Sequence, residues 1–220
     1  MTTKTVTPKL DILPPAQRKL WTELAEIPPE FTLYGGTAIA LHLGHRQSVD
    51  FDFFGAKDFA PSGLFRSIPF LSGAEILQQE KNTLTCLVGR GDPVMISFFG
   101  VPDLKRIQAP HVSPDNGLKI ASLIDLAGTK AAVVQQRAEA KDYIDLDTLI
   151  LQGIDLSTAL AAAQKIYGVS FNQQITLKAL CYFEEEGLRD LPGGVKDRLM
   201  MAVKAVDMER LPRLEAENDV

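Results

Sequence analysis

The segment from Leu33 to Phe54, LYGGTAIALHLGHRQSVDFDFF, constrains the fold of this chain more than any other part of the sequence. It begins in the apolar run FTLY, and after the glycine pair TAIALHL has helical composition and stops at Gly44. SVDFDFF then alternates and is rich in aromatic residues. These patterns predict a strand, a glycine turn, a short helix and a second strand, which is typical of an α/β fold.

Two carboxylates lie in the second predicted strand, at Asp50 and Asp52. Residues two apart in a strand point to the same face, so these side chains are predicted to point together. On a largely apolar strand they repel each other and lose hydration unless a cation neutralises them, and paired oxygen ligands suit Mg²⁺. A strand with one solvated face is the alternative that this pattern leaves open.

The glycine turn contains Gly35, Gly36 and Thr37. A helix that starts directly after a strand presents backbone N–H groups and the positive end of its dipole to an anion. Tight turns use glycine pairs for other reasons too, and Thr37 could be only the N-cap of the helix. Together with the aspartate pair, the turn predicts a site where a nucleoside triphosphate and its metal ion converge.

The rest of the chain falls into two regions. EILQQEKNTLTCLVG and PVMISFFG predict a meander of strands, whereas the sequence from Ser122 onward is mostly helical in pattern. We therefore predict one domain over residues 1–110 and a C-terminal helical region over residues 111–220. In the helical region Lys130 and Arg137 are predicted to share one helix face, and Asp142 and Asp145 to share a face of the next helix. A solvated face with ion pairs is the default interpretation of such charges.

Composition narrows the class of protein. A net charge of -5 argues weakly against coating nucleic acid by bulk electrostatics, although it leaves a local basic groove open. Cys86 and Cys181 have no metal-type spacing, which predicts free thiols in a reducing compartment. The N-terminal sequence has no apolar signal core, and no stretch approaches the roughly 18 apolar residues of a spanning helix. We predict a soluble cytoplasmic protein without membrane contact.

The motifs also resemble a known family. GGTAIALHLGHRQSVDFDFF is similar to the signature of the nucleotidyltransferase superfamily, Gly-Gly or Gly-Ser followed by Asp-x-Asp, and its form resembles the AbiEii/AbiGii toxin family in particular. KAAVVQQRAEAKDYIDLDTLI, residues 130–150, is similar to a helical segment of that family, so the resemblance spans roughly residues 20–152. It implies a nucleotidyltransferase-type core of the α/β (α+β) class, with a mixed sheet flanked by helices, plus a C-terminal helical bundle.

The same resemblance implies a function. It implies Mg²⁺-dependent transfer of a nucleotide from a nucleoside triphosphate to a hydroxyl acceptor on tRNA or a protein. It also implies the toxin role in a toxin–antitoxin or phage-defence pair, with a cognate antitoxin as partner. The residues expected to bind the nucleotide are Gly35, Gly36, Thr37 and Arg46. The residues expected to be catalytic are Asp50 and Asp52, which would also ligate Mg²⁺, together with Lys130, Asp142 and Asp145. Lys130 would contact the triphosphate, and Asp142 or Asp145 could position a lysine, a base or the acceptor.

The sequence departs from the superfamily pattern at one position. A third carboxylate usually lies on a later strand as general base, but the corresponding position in VMISFFG is Ser97. Serine does not act as a base at neutral pH without help. Three alternatives stay open: Asp142 or Asp145 supplies the missing carboxylate, two acids suffice for slow transfer, or the chain is a non-catalytic nucleotide-binding or regulatory module.

Overall fold

The computed structural model describes residues 4–216 of the 220-residue chain. The described residues form two compact units. We call residues 4–104 and 109–122 the sheet unit, and residues 105–108 and 123–216 the helical unit. The predicted domain boundary at residue 110 stays a prediction, because compact units need not be domains that fold independently.

One seven-stranded sheet organises the sheet unit. Its strands are β1 (Phe31–Tyr34), β2 (Asp50–Gly55), β3 (Glu75–Glu80), β4 (Thr83–Arg90), β5 (Asp92–Gly100), β6 (His111–Val112) and β7 (Lys119–Ile120). They are arranged in the order β3-β4-β5-β2-β1-β7-β6. β2 runs parallel to β5 and β1 parallel to β7, whereas the other neighbouring pairs are antiparallel. The predicted mixed sheet is therefore confirmed.

Three α-helices accompany the sheet: α1 (Pro15–Leu20), α2 (Gly35–Leu43) and α3 (Pro61–Ser67). α2 follows β1 without an intervening loop and ends at Gly44, whose φ of +68° is in the left-handed region that favours glycine. The strand, glycine turn, helix and second strand predicted from residues 33–54 are thus confirmed. This arrangement brings the start of α2 next to the middle of β2.

The two faces of β2 differ in the way that the sequence predicts. Phe51 and Phe53 are fully buried, and the ring of Phe53 stacks on that of Phe98 with centroids 5.3 Å apart. Asp50 and Asp52 alternate with these aromatic residues and are only half-buried. Burial of the aromatic face fixes the register of the strand, because a shift by one residue would bury the carboxylates instead.

A histidine pair lies at the C-terminal end of α2. The rings of His42 and His111 meet edge to face at 5.2 Å, and His42 Nε2 donates a hydrogen bond to the Ala121 carbonyl at 2.9 Å. Burial lowers the pKa of His42 to about 4, with a smaller contribution from the nearby His111, although the bond to Ala121 opposes the shift. Both rings are accordingly held neutral at physiological pH, since burial also lowers the pKa of His111.

The helical unit contains α4 (Leu123–Val133), α5 (Ala140–Leu151), α6 (Leu156–Tyr167), α7 (Gln173–Ala179) and α8 (Gly193–Ala205). α4 and α6 approach closely at Gly128, where an added Cβ would lie 2.9 Å from Ile166 Cδ1. The prediction that one helix carries both Lys130 and Arg137 is wrong, because α4 ends at Val133. The segment that follows α4 packs closely against Gly187, at which an added Cβ would collide with the Ala138 carbonyl oxygen.

Two further predictions concern the whole chain. Cys86 is buried, Cys181 is exposed, and both are free thiols as predicted. Within residues 4–216 no single helix is long and apolar enough to cross a membrane, although Ala140–Leu151 and Leu156–Ser170, bent by 117° to each other, reach that length and apolarity as a pair.

Candidate active site

The glycine turn contacts the aspartate pair directly. Tyr34, the last residue of β1, pairs with Asp52 of β2, so the next residue, Gly35, lies beside the Asp52 carboxylate. Gly35 has a φ of +74°, and a Cβ built on it would lie 2.8 Å from Asp52 Oδ2. Glycine is required here twice, for its backbone conformation and for the space that the carboxylate occupies.

The first turn of α2 offers backbone donors at the same place. The backbone N–H groups in the first turn of a helix have no hydrogen-bond acceptor within the helix. In α2 these are the N–H groups of Gly35, Gly36 and Thr37. The residue before the helix, Tyr34, makes no side-chain capping bond to them. The N-cap interpretation of Thr37 is therefore wrong, because Thr37 lies inside the first turn. An anion at this turn would meet N–H groups and the positive end of the helix dipole.

The side chain of Thr37 points away from solvent. It is 1% exposed, and its Oγ1 forms hydrogen bonds with Ser48 Oγ at 2.7 Å and with the Asp50 carbonyl oxygen. The residue thus links α2 to the beginning of β2. Its backbone N–H, and not its hydroxyl, is the group that the helix start offers to a ligand.

Ser97 lies on β5, next to β2, which is where the superfamily pattern predicts the position of the third carboxylate. In the parallel β2–β5 pair it is in register with Asp52, and in the antiparallel β4–β5 pair it is in register with Thr85. Thr85 Oγ1 and Ser97 Oγ are 3.4 Å apart, and the two residues are 8% and 4% exposed. The Asp52 carboxylate and the hydroxyls of Ser97 and Thr85 therefore belong to residues that are in register across the neighbouring strands β2, β5 and β4.

The donor set fits a magnesium ion shared with a substrate. Mg²⁺ in phosphate-transfer sites is commonly held by one or two carboxylates, with water and substrate phosphates completing its coordination. Asp50 and Asp52 supply two carboxylates on one face, and the absence of a Cβ at Gly35 lets the Asp52 carboxylate lie against the glycine turn. Within residues 4–216 no group of three or more His, Cys, Asp or Glu side chains is arranged to hold a metal ion.

Arg46 lies in the connection between α2 and β2 and is half-buried, with Nη1 donating to the Gln47 carbonyl at 2.9 Å. Its predicted contact with a phosphate stays a prediction.

The second predicted group forms a buried ion cluster in the helical unit. Lys130 Nζ lies 2.6 Å from Asp142 Oδ1 and 2.7 Å from Asp145 Oδ2. Both carboxylates are fully buried, and Lys130 is 5% exposed. The prediction that Asp142 and Asp145 share a helix face is confirmed, because both point from α5 to the same ammonium group of α4.

Arg137 completes this cluster from outside the helices. Its Nε donates to Asp142 Oδ2 at 2.8 Å and its side chain is 47% exposed. Burial by itself would raise the pKa of Asp142, but the bond from Arg137 and the charge and bond of Lys130 together hold it below its usual value. Asp142 is therefore a carboxylate at neutral pH with both oxygens engaged.

Two other buried carboxylates were not singled out by the sequence patterns. Asp125, fully buried in α4, accepts hydrogen bonds from the backbone N–H groups of Ile107 at 2.6 Å and Gln108 at 3.1 Å. Asp147 of α5 forms a two-pronged ion pair with Arg198 of α8 at 2.8 and 2.6 Å. The only sequence signal was an acidic residue at a helical position where apolar neighbours predict burial. We interpret both as structural contacts within the helical unit.

Comparison with known proteins adds a family and a fold. The family model described as "Nucleotidyl transferase AbiEii toxin, Type IV TA system" matches residues 19–215. Protein aq_aa25 of Aquifex aeolicus (strain VF5) is 37% identical over 160 residues, which cover 71% of this chain and 75% of that protein.

Two solved structures are similar in fold. The nucleotidyltransferase toxin MenT4 of Mycobacterium tuberculosis H37Rv has a TM-score of 0.59 at 15% identity, over 88% of this chain and 83% of its own. A candidate nucleotidyltransferase of H. pylori has a TM-score of 0.53 at 16% identity, over 86% of this chain and 90% of its own. At these identities the likeness shows the fold alone.

Proposed function

This chain belongs to the AbiEii family of nucleotidyltransferase toxins, and on that basis we propose that it transfers a nucleotide from a nucleoside triphosphate to a hydroxyl acceptor with Mg²⁺ as cofactor. The acceptor we propose first is tRNA, and a protein hydroxyl is the other candidate. The family description names a toxin–antitoxin system, which supports a cognate antitoxin as partner. A cytoplasmic location stays a prediction from the sequence.

The observation that carries this proposal is the contact between Gly35 and the Asp52 carboxylate. It brings the phosphate-binding type of turn and the metal-binding type of carboxylate pair to one point. The N–H groups of Gly36 and Thr37 would bind phosphate oxygens, and Asp50 and Asp52 would hold Mg²⁺. When bound, the metal neutralises charge on the phosphates and aligns the attacking and leaving oxygens. Arg46 is the proposed additional contact to phosphate.

The ion cluster argues against Asp142 or Asp145 as the general base that would replace the missing third carboxylate. Asp142 is engaged by Lys130 and Arg137, and its lowered pKa makes it a weak base. Asp145 is also bound to Lys130. We therefore propose that Asp142 and Asp145 hold the buried ammonium group of Lys130 and do not act as the general base, and that Asp50 and Asp52 suffice for transfer. The predicted contact of Lys130 with the triphosphate stays a prediction.

Transfer of label tests the proposal. Purified protein, Mg²⁺ and each of the four α-labelled triphosphates are incubated with total tRNA or with cell protein. We expect one triphosphate to label one acceptor class, and Asp50→Asn to abolish labelling without changing the thermal unfolding midpoint by more than a few degrees. Asp190→Asn, which removes an exposed carboxylate of the helical unit, is the matched control and should label normally.

Ser97 supports a second candidate function, a nucleotide-binding or regulatory module without catalysis. A hydroxyl in register with Asp52 leaves the site without the usual general base. Calorimetric triphosphate binding without transfer to any acceptor would favour this second function over the first. An absence of triphosphate affinity, both with and without Mg²⁺, would contradict both.

A further inference from the structure

Two buried hydroxyls, those of Thr37 and Ser48, lie close to the backbone of Asp50. Thr37 is 1% exposed and Ser48 is 9% exposed. The two oxygens are 2.7 Å apart, and Thr37 Oγ1 also contacts the carbonyl oxygen of Asp50. Three segments thereby meet at one point: the first turn of α2, the connection that follows α2, and the first residue of β2.

The chemistry of these groups determines the direction of the hydrogen bonds. A carbonyl oxygen can only accept, so the single proton of the Thr37 hydroxyl is donated to Asp50. The contact between the two hydroxyls then needs the proton of Ser48, which is donated to Thr37. The result is a chain of donors that runs from Ser48 through Thr37 to the backbone of Asp50.

The position of Asp50 in the sheet explains why such an anchor is needed. β1 ends at Tyr34, which pairs with Asp52, so Asp50 extends past the end of β1. On the other side it is in register with Met95 of β5. The residue immediately before it, Val49, is 59% exposed and gives little packing. The hydroxyl of Thr37 therefore binds the backbone of Asp50 at a level that β1 does not reach.

We propose that Ser48 and Thr37 are positioning residues that fix the backbone of Asp50, and that the Thr37 hydroxyl does not bind the triphosphate. This inference rests on the proposed function, because it concerns the carboxylate proposed to hold the metal. It assigns phosphate binding at residue 37 to the backbone N–H alone. It also gives Ser48 a role that the glycine turn and the aspartate pair do not by themselves suggest.

Four variants test the inference. Thr37→Val keeps the shape and the backbone N–H but removes the hydroxyl, Thr37→Ser keeps the hydroxyl, and Ser48→Ala removes the first donor; the fourth is the double variant. Ser67→Ala is the matched control, because the Ser67 hydroxyl also donates to a backbone carbonyl of the sheet unit, that of Leu64 at 2.9 Å.

Transfer rates and the triphosphate dissociation constant together separate positioning from phosphate binding. Thr37→Val should lower the transfer rate by about 10- to 100-fold, since misplacing a reacting group by about 1 Å has effects of that size. Its dissociation constant for the triphosphate should stay within threefold of wild type by calorimetry. Thr37→Ser should recover most of the rate. The double variant should be no slower than Thr37→Val within about twofold, because Ser48 acts only through Thr37.

Two further readouts do not require turnover. Mn²⁺ binding in the presence of a non-hydrolysable triphosphate, measured by electron paramagnetic resonance, should weaken in Thr37→Val and Ser48→Ala. Amide hydrogen exchange at residues 49–52 should become faster in both variants and stay at the wild-type rate in Ser67→Ala. These results would support the inference even if the wild-type protein transferred nothing, an outcome that would instead contradict the proposed function.

The inference is overturned by either of two outcomes. The first is a rise of tenfold or more in the triphosphate dissociation constant for Thr37→Val, which would place its hydroxyl on a phosphate. The second is amide exchange at residues 49–52 in Ser48→Ala that equals that in Ser67→Ala.

Discussion

Replacing Gly35 by alanine should damage the site far more than the fold. The φ of +74° costs an L-residue about 1–2 kcal/mol, partly offset by about 0.4–1 kcal/mol from the smaller entropy of the unfolded chain. Gly117 has the same φ of +74°, but nothing lies within 4 Å of a Cβ built there. Gly117→Ala thus carries the same backbone strain without a collision. Each variant should lose at most about 1.6 kcal/mol of stability for this reason.

The two variants should differ in activity. In Gly35→Ala the new methyl group would lie 2.8 Å from Asp52 Oδ2, so the carboxylate must move by several tenths of an ångström or more. We expect a loss of transfer of about 100-fold for Gly35→Ala and less than twofold for Gly117→Ala.

Initial rates of label transfer and thermal unfolding of both variants provide the assay. The midpoints should fall together by a few degrees, at about 2–4 °C per kcal/mol for a chain of this size. If Gly35→Ala transfers as fast as Gly117→Ala, the carboxylate of Asp52 has no role at the position that the structure gives it.

Three more predictions concern single side chains. Lys130→Met should lower the free energy of unfolding by about 3–5 kcal/mol in urea titrations, because two buried carboxylates lose their common cation; a similar value for Lys178→Met, at an exposed position, would contradict this. In the folded chain the His42 imidazole stays neutral down to its pKa of about 4, whereas in the unfolded chain it binds a proton near pH 6.5. Its contribution to stability is therefore fully present above pH 6.5. The free energy of unfolding should fall by up to about 3 kcal/mol as the pH is lowered to 4. His42→Phe should reduce the pH dependence of unfolding across that range, although His111, whose pKa is also lowered, still contributes to it; an unchanged slope would disprove the assignment. Ser97→Asp adds a carboxylate in register with Asp52, so Mg²⁺ should raise the unfolding temperature of this variant more than that of wild type; equal shifts would place residue 97 away from the metal.

Local patterns predicted the part of the site that is local in sequence. FTLY, the glycine pair and the alternation in SVDFDFF each act within a few residues, and the structure has β1, the turn and β2 where those patterns place them. The position of Ser97 could also be predicted, because a strand with one buried face leaves little freedom in register.

The rest depended on contacts between distant segments. Residues 134–139 contain good helix formers, yet α4 ends at Val133. The segment that follows packs closely against Gly187 at Ala138, a contact that no local pattern predicts. The anchor from Thr37 to Asp50 joins residues in different elements, so no pattern within α2 or β2 predicts it. The sequence pattern singled out the charges of Lys130, Asp142 and Asp145, but it did not predict their burial, which depends on how α4 and α5 pack.

The two free thiols differ enough in environment to be told apart by reagents. Burial raises the pKa of the Cys86 thiol to about 11, whereas Cys181 is exposed at the end of α7. A maleimide dye at neutral pH reacts with a thiol that it can reach, and therefore labels Cys181 and not the buried Cys86. The wild-type chain thus already contains one attachment point for a fluorophore on its helical unit, and ligand-induced movements could be followed by fluorescence without introducing or removing a cysteine.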